Sequence, residues 1–240
     1  MTKHFVRTFV FLFCLSAASV SGAATASLSE TLEIVNLPSS NRRMVVEGKQ
    51  GEKHYNAFIE VAFSEKQPMT VRWKALMAAA ESRRGKATTD LMRAGDHSEW
   101  FMRNAALVAL AEVNPEKAHA LATKLIKDKA LVVRSAAVET LRKNETPEVR
   151  DLLWEELSQS YNFKKKESLW IRPQIVEVLA AKPQGHEIKI FASLLSDKDQ
   201  RVQVPAIRGL EKITGTRLGK GTIKQGELVS LWKDHLKKIN

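Results

Sequence analysis

The ten residues FMRNAALVAL, Phe101–Leu110, decide the fold, because they recur along the chain in one register. TVRWKALMAA carries Arg72, VVRSAAVETL carries Arg134 and WIRPQIVEVL carries Arg172, while RVQVPAIRGL puts Gln203 where the arginine stands. Successive positions lie 31, 31, 38 and 31 residues apart, so the period resumes after one insertion of seven. The residue before each arginine position is apolar: Val71, Met102, Val133, Ile171 and Val202. Three, four and seven residues after it come Ala75, Leu76 and Ala79, then Ala106, Leu107 and Leu110, and so on to Ala206, Ile207 and Leu210. Those spacings lay one apolar stripe along one face of a helix.

A second amphipathic stretch precedes each of these: EKHYNAFIEVAF, KATTDLMRAG, PEKAHALATKLI, PEVRDLLWEELS and HEIKIFASLL. Pro115 and Pro147 stand where helices begin, since proline is harmless in a first turn. No alternating strand pattern interrupts the series. The expected fold is all-α: about five helical hairpins stacked as a solenoid over residues 52–214, with a lead-in or cap over 27–51 and a loop and capping helix over 215–240.

The unit apolar-Arg-x-x-Ala-[Leu/Val], with Asp96, Asp128 or Asp197 a few residues earlier, resembles the HEAT-repeat family. The resemblance implies a ladder in which Arg72, Arg103, Arg134 and Arg172 pair with aspartates between neighbouring repeats. It also implies that the second helices line a concave face. Gln203, Pro173 and Pro205 depart from the pattern, so the fourth and fifth second helices should start late or bend, and the ladder should weaken toward the C-terminus.

Residues 1–26 read as a cleaved secretory leader: Lys3 and Arg7, the apolar run Phe9–Val20, then small residues with Ser21-x-Ala23 or Ala24-x-Ala26 spacing. Periplasmic or secreted localisation follows as an expectation. Cys14 is the single cysteine and falls inside that run, which leaves the mature part without a disulfide, a thiolate metal site or a cysteine nucleophile. The formal charge is +11, and removing Lys3 and Arg7 leaves +9 for the remainder. Such a balance favours anionic partners, among them an acidic protein, a membrane surface, an envelope polymer or nucleic acid, and export makes nucleic acid the least available.

No catalytic constellation stands out, and neither a cofactor nor a metal is implied. His54, His97, His119, His186 and His235 lack metal-ligand spacing, and the paired acids of WEEL (Trp154–Leu157) diverge on a helix. GTRLGKGT, Gly215–Thr222, imitates a phosphate loop. Its gap is three residues, and Gly221 separates Lys220 from Thr222, so it reads as the joint before a capping helix carrying Leu228, Leu231, Trp232 and Leu236.

Two surfaces are candidates for recognition. Opposite the apolar stripe, the second helices present Lys74, Met77, Val108, Glu139, Glu177, Arg208 and Lys212, a mixed face suited to a protein partner rather than to a phosphate backbone. The insertion YNFKKKE sets Tyr161 and Phe163 beside Lys164, Lys165 and Lys166, a patch suited to an anionic surface. NRR (Asn41–Arg43) and SRRGK (Ser82–Lys86) read as solvated turns. The function expected is a non-catalytic scaffold, adaptor or inhibitor in the cell envelope. The alternatives are a HEAT-like nucleic-acid binder or base glycosylase, and a peripheral binder of anionic membrane or cell-wall polymer.

Overall fold

A computed structural model describes residues 26–219 and 224–239. The leader read over residues 1–26 therefore lies outside the described residues except for Ala26, as do Lys220, Gly221 and Thr222 of the glycine-rich stretch. Five helical hairpins succeed one another: α3 (Lys49–Phe63) with α4 (Met69–Arg83), α5 (Thr88–Gly95) with α6 (Trp100–Val113), α7 (Pro115–Leu125) with α8 (Leu131–Leu141), α9 (Pro147–Leu157) with α10 (Ile171–Ala181), and α11 (Ile188–Leu194) with α12 (Gln200–Thr214). Two helices, α1 (Leu28–Asn36) and α2 (Ser39–Val46), precede them, and α13 (Gln225–Ile239) follows. The chain is an all-α solenoid.

The register read from the sequence is the core. All fifteen residues three, four and seven places after the arginine position are buried, from Ala75 to Leu210, and all come from second helices that pack in series, α4 on α6, α6 on α8, α8 on α10 and α10 on α12. First helices close the other side with Phe58, Leu91, Leu121, Leu153 and Phe191. Close approach needs small residues: a Cβ on Gly209 of α12 would come within 2.7 Å of the Phe191 ring on α11. Asn114 and Thr146 cap α7 and α9 through their side chains, with Pro115 and Pro147 in the first turn.

The lead-in is helical and engaged. Arg42, expected in a solvated turn, is buried and forks onto Glu81 of α4 with both bonds at 2.9 Å, while its neighbour Arg43 reaches Glu112 of α6 at 3.0 Å. Arg83, in the other expected turn, lies over the Tyr55 ring at 4.0 Å. Both prolines behave differently from one another. In α10 the arginine is the second residue rather than the fourth, so that helix does start late, whereas α12 begins on register at Gln200 and runs through Pro205 to Thr214.

The seven-residue insertion is not an open loop. It forms a single 3₁₀ turn (Ser160–Asn162) and a hairpin of two-residue strands, β1 (Phe163–Lys164) and β2 (Glu167–Ser168), paired Phe163 to Ser168 and Lys164 to Glu167. The two residues between them, Lys165 and Lys166, have φ of 51° and 69°, the pair of positive values that a tight hairpin turn with right-handed strand twist demands. At the C-terminus Gly215 ends α12 at φ 68°, a left-handed cap. Val229, Trp232 and Leu236 of α13 are buried, spaced three and four apart. Leu231 is 47% exposed, a correction to its expected place in that stripe: one residue before Trp232 is about 100° around the helix.

Candidate interaction surfaces

The arginine positions form a ladder of unequal rungs. Arg103 holds Asp128 of the next repeat through two bonds of 2.6 and 2.8 Å, and Arg172 holds Asp197 at 2.6 Å. Burial pushes the Asp128 carboxyl up, but the Arg103 guanidinium and the Ala130 N–H donate to it and hold it below the usual carboxylate range. Arg103 also donates to the carbonyls of His97 and Ser98, Arg134 to those of Asp128 and Lys129, and Gln203 to that of Asp197. Each side chain therefore staples its own hairpin loop as well, and Gln203 keeps that half of the role without a charge.

Two rungs depart from the implied aspartate pairing. In the Arg103 and Arg172 rungs the aspartate lies 25 residues on. For Arg72 that place is occupied by His97. Asp96, one residue early, points to solvent and pairs with Lys124 at 2.7 Å, so Arg72 pairs with Glu99 at 2.5 Å and donates to the Ala62 carbonyl. For Arg134 the insertion supplies the partners: Asn162 Oδ1 at 3.0 Å, the Tyr161 carbonyl at 3.0 Å, and the Tyr161 ring 5.1 Å from the guanidinium carbon. Phe163 covers Arg172 in the same way at 4.3 Å. Tyr161 and Phe163 thus serve the ladder, and the Tyr161 hydroxyl donates to the buried carboxylate of Glu156. Of the three lysines beside them, all are exposed.

The face opposite the apolar stripe is largely occupied with itself. Glu177 pairs with Arg208 across the last two repeats, Lys212 donates to the carbonyls of Ala180 and Ala181 at 3.0 and 2.8 Å, and Glu139 pairs with Arg142 on its own helix. Gln174 and Ser135 exchange bonds of 2.7 and 3.2 Å. Met77 is half-buried in a cleft that Arg43 and Glu47 of the α2 segment help to line. Lys74 is half-buried and Val108 is 38% exposed.

An edge of the array, formed by the loops inside the hairpins and the first turns of the second helices, is more open. A cleft of about 640 Å³ lies between Met69, Trp100, Phe101 and Lys129. A second, of about 570 Å³, runs from Lys127 and Lys129 past Leu131 to Tyr161, Phe163 and Lys164. A third, of about 530 Å³, continues from Phe163 and Lys166 to Lys198 and Arg201. Lys129 lines the first two clefts and Phe163 the last two, so the three adjoin one another, and their linings draw on all five hairpins. Met69 and Trp100, which line the first cleft, stand 47% and 42% exposed. The signal was available in the sequence: three residues before the arginine, in the same register, stand Met69, Trp100, Leu131 and Leu169.

Charge on this edge is lopsided. Glu99, Asp128, Asp197 and Asp199 are each held by an arginine, Arg72, Arg103, Arg172 and Arg201. Lys129, Lys164, Lys165, Lys166 and Lys198 are exposed and, among the described residues, make no ion pair. The arginines take up these four acids; Glu167, which also lines the third cleft, is exposed and, among the described residues, makes no ion pair, so the five lysines stand against one free carboxylate. Among the described residues no group of three or more His, Cys, Asp or Glu side chains is placed to hold a metal ion, and no helix is long and apolar enough to cross a membrane.

Residues 56–142 match the family model of HEAT repeats. The match spans α3 to α8, the three hairpins of constant period, and stops before the insertion, the late start of α10 and Gln203. No curated protein matches the chain.

Proposed function

We propose that the chain, whose residues 56–142 match the model of HEAT repeats, a family whose arrays commonly serve as protein-interaction scaffolds, is a non-catalytic scaffold of the cell envelope. Its binding surface is the edge of the array, not the face of the second helices. The observation that carries this reading is the line of three adjoining clefts, with exposed Met69 and Trp100 and with lysines in excess of the free carboxylates. Apolar side chains left in water beside uncompensated charge are what a partner can desolvate and pair. The face, by contrast, offers pairs already made, which a partner would first have to break.

The envelope assignment is supported by the leader pattern and by the start of the first described helix. Ser27, immediately after the Ala24-x-Ala26 spacing, is the N-cap of α1 and accepts from the Glu30 N–H at 3.1 Å. Cleavage there would leave every helix of the array intact.

Photocrosslinking in cells tests the surface. A photoreactive residue replacing Trp100 or Lys164 should give a discrete protein adduct, and one replacing Val108 or Glu139 should not. Adducts only from the second set would move the function to the helix face. Fractionation tests the compartment: a periplasmic chain with Ser27 at its N-terminus is expected, and a full-length cytoplasmic chain would return the nucleic-acid alternative to the front.

A further inference from the structure

We propose that the edge cleft receives an extended, acidic peptide segment in polyproline-II conformation, with an apolar side chain at every third residue. The proposal rests on the edge being the binding surface and adds the chemistry of what it holds.

The periodicity argues the conformation. Met69, Trp100 and Leu131 occupy equivalent places on second helices that pack directly on one another, α4 on α6 and α6 on α8. Packed helices lie about 8–10 Å apart, so the apolar positions repeat along the edge at about that interval. A polyproline-II chain has three residues per turn and rises about 3.1 Å per residue, which brings the same face round every ~9 Å. A β-strand presents a face every second residue, at about 6.7 Å, and falls out of step within one repeat. A helix lying on the edge would present an apolar row about every 5.4 Å and fit no better.

The charges argue the composition. Lys129 stands at the junction of the first and second clefts, Lys164 and Lys166 flank Phe163 at the junction of the second and third, and Lys198 lines the third. Since arginines hold Glu99, Asp128, Asp197 and Asp199, Glu167 is the one acid lining the clefts that, among the described residues, makes no ion pair, and the lysines in excess of it are available to acidic side chains between the apolar anchors. The apolar residues argue against a bare polyanion: Met69 and Trp100 gain nothing from sulfate or phosphate groups. Four hairpin steps at about three residues each call for a segment of about a dozen residues.

The test uses the full chain and synthetic peptides of about twelve residues, built from Leu, Glu, Pro and Ser at one fixed composition. One spaces its leucines three residues apart, a second spaces the same number of leucines two apart, and a third repeats the first with Lys for Glu. Fluorescence anisotropy should show the first binding about tenfold or more tighter than the second, weakening as salt rises, with the lysine version not bound. Trp100→Ala and, separately, Lys129→Glu should each weaken the first peptide about tenfold, with melting curves unchanged because both side chains are exposed. Equal binding of the two spacings, binding of the lysine peptide, or affinity untouched by both substitutions would overturn the proposal. So would binding to vesicles of phosphatidylglycerol with none to any peptide, which would assign the lysines to a membrane surface. If no peptide binds but crosslinks at position 100 persist, the peptide proposal falls and the edge reading stands; loss of both removes the edge.

Discussion

Two neighbouring rungs of the same ladder, at Arg103 and Arg134, solve one problem in different ways. Both arginines are buried and both staple their own hairpin loop. Arg103 finds a carboxylate in the next repeat, while Arg134 finds an amide oxygen, a backbone carbonyl and an aromatic ring. The difference follows from the insertion. Seven extra residues carry the loop away from the place where an aspartate would stand, and the same residues fold back to supply neutral acceptors and a ring face. A repeat can therefore grow a surface feature without leaving a buried guanidinium unsatisfied. The lengthened loop gains lysines outside for an ion pair lost inside.

The two rungs should break with different force. Arg103→Ala leaves Asp128, whose side chain is 5% exposed, charged and unpaired, a loss of about 3–5 kcal/mol. Arg134→Ala leaves only neutral acceptors without a donor, about 1–3 kcal/mol. Urea denaturation of the two variants checks the order, and equal losses would mean that the charge at Asp128 is immaterial. A milder probe is Asp128→Asn, which keeps an acceptor and removes the charge; about 1–2 kcal/mol should be lost at pH 7. Its pH dependence sharpens the contrast. Asp128 is held below the usual carboxylate range, so its contribution is present above that range and fades as pH falls through its lowered folded-state pKa. The gap between native chain and Asp128→Asn should close on acidification, while the gap to Arg134→Ala should stay open. Smallest is Phe163→Ala, which removes the ring over Arg172 and should cost about 0.5–1 kcal/mol beyond the packing lost, read from thermal melting against Phe163→Leu.

The repeat was legible because one residue type marked it. An arginine at a fixed interval, with apolar residues one before and three, four and seven after, is a pattern that only a stacked helix array satisfies, and those residues are the core. What escaped were pairings set by three-dimensional neighbourhood. Nothing near Arg42 announces Glu81, 39 residues on, nor does Arg150 announce the buried Glu187, 37 residues on, to which it donates at 2.6 and 2.8 Å. The hairpin also escaped, because Lys165 and Lys166 take the positive φ values that asparagine and glycine normally signal. For the site, the lysines of the insertion were visible, and so was the register position of Met69, Trp100 and Leu131. Their union in one line of clefts was not, since loops from five hairpins build it. Nor does a sequence show that Glu177 and Arg208, both named on the helix face, pair with each other.

The tethers of α2 also fix an order of events. Arg42 needs Glu81, and Arg43 needs Glu112, 69 residues further along the chain. A polypeptide emerges from its synthesis N-terminus first, so this helix appears before anything it can hold. The first hairpin must form before Arg42 can be buried, and the second before Arg43 is paired. Until then the amino-terminal end stays unlocked, and the array closes at its beginning only after its second hairpin has been made.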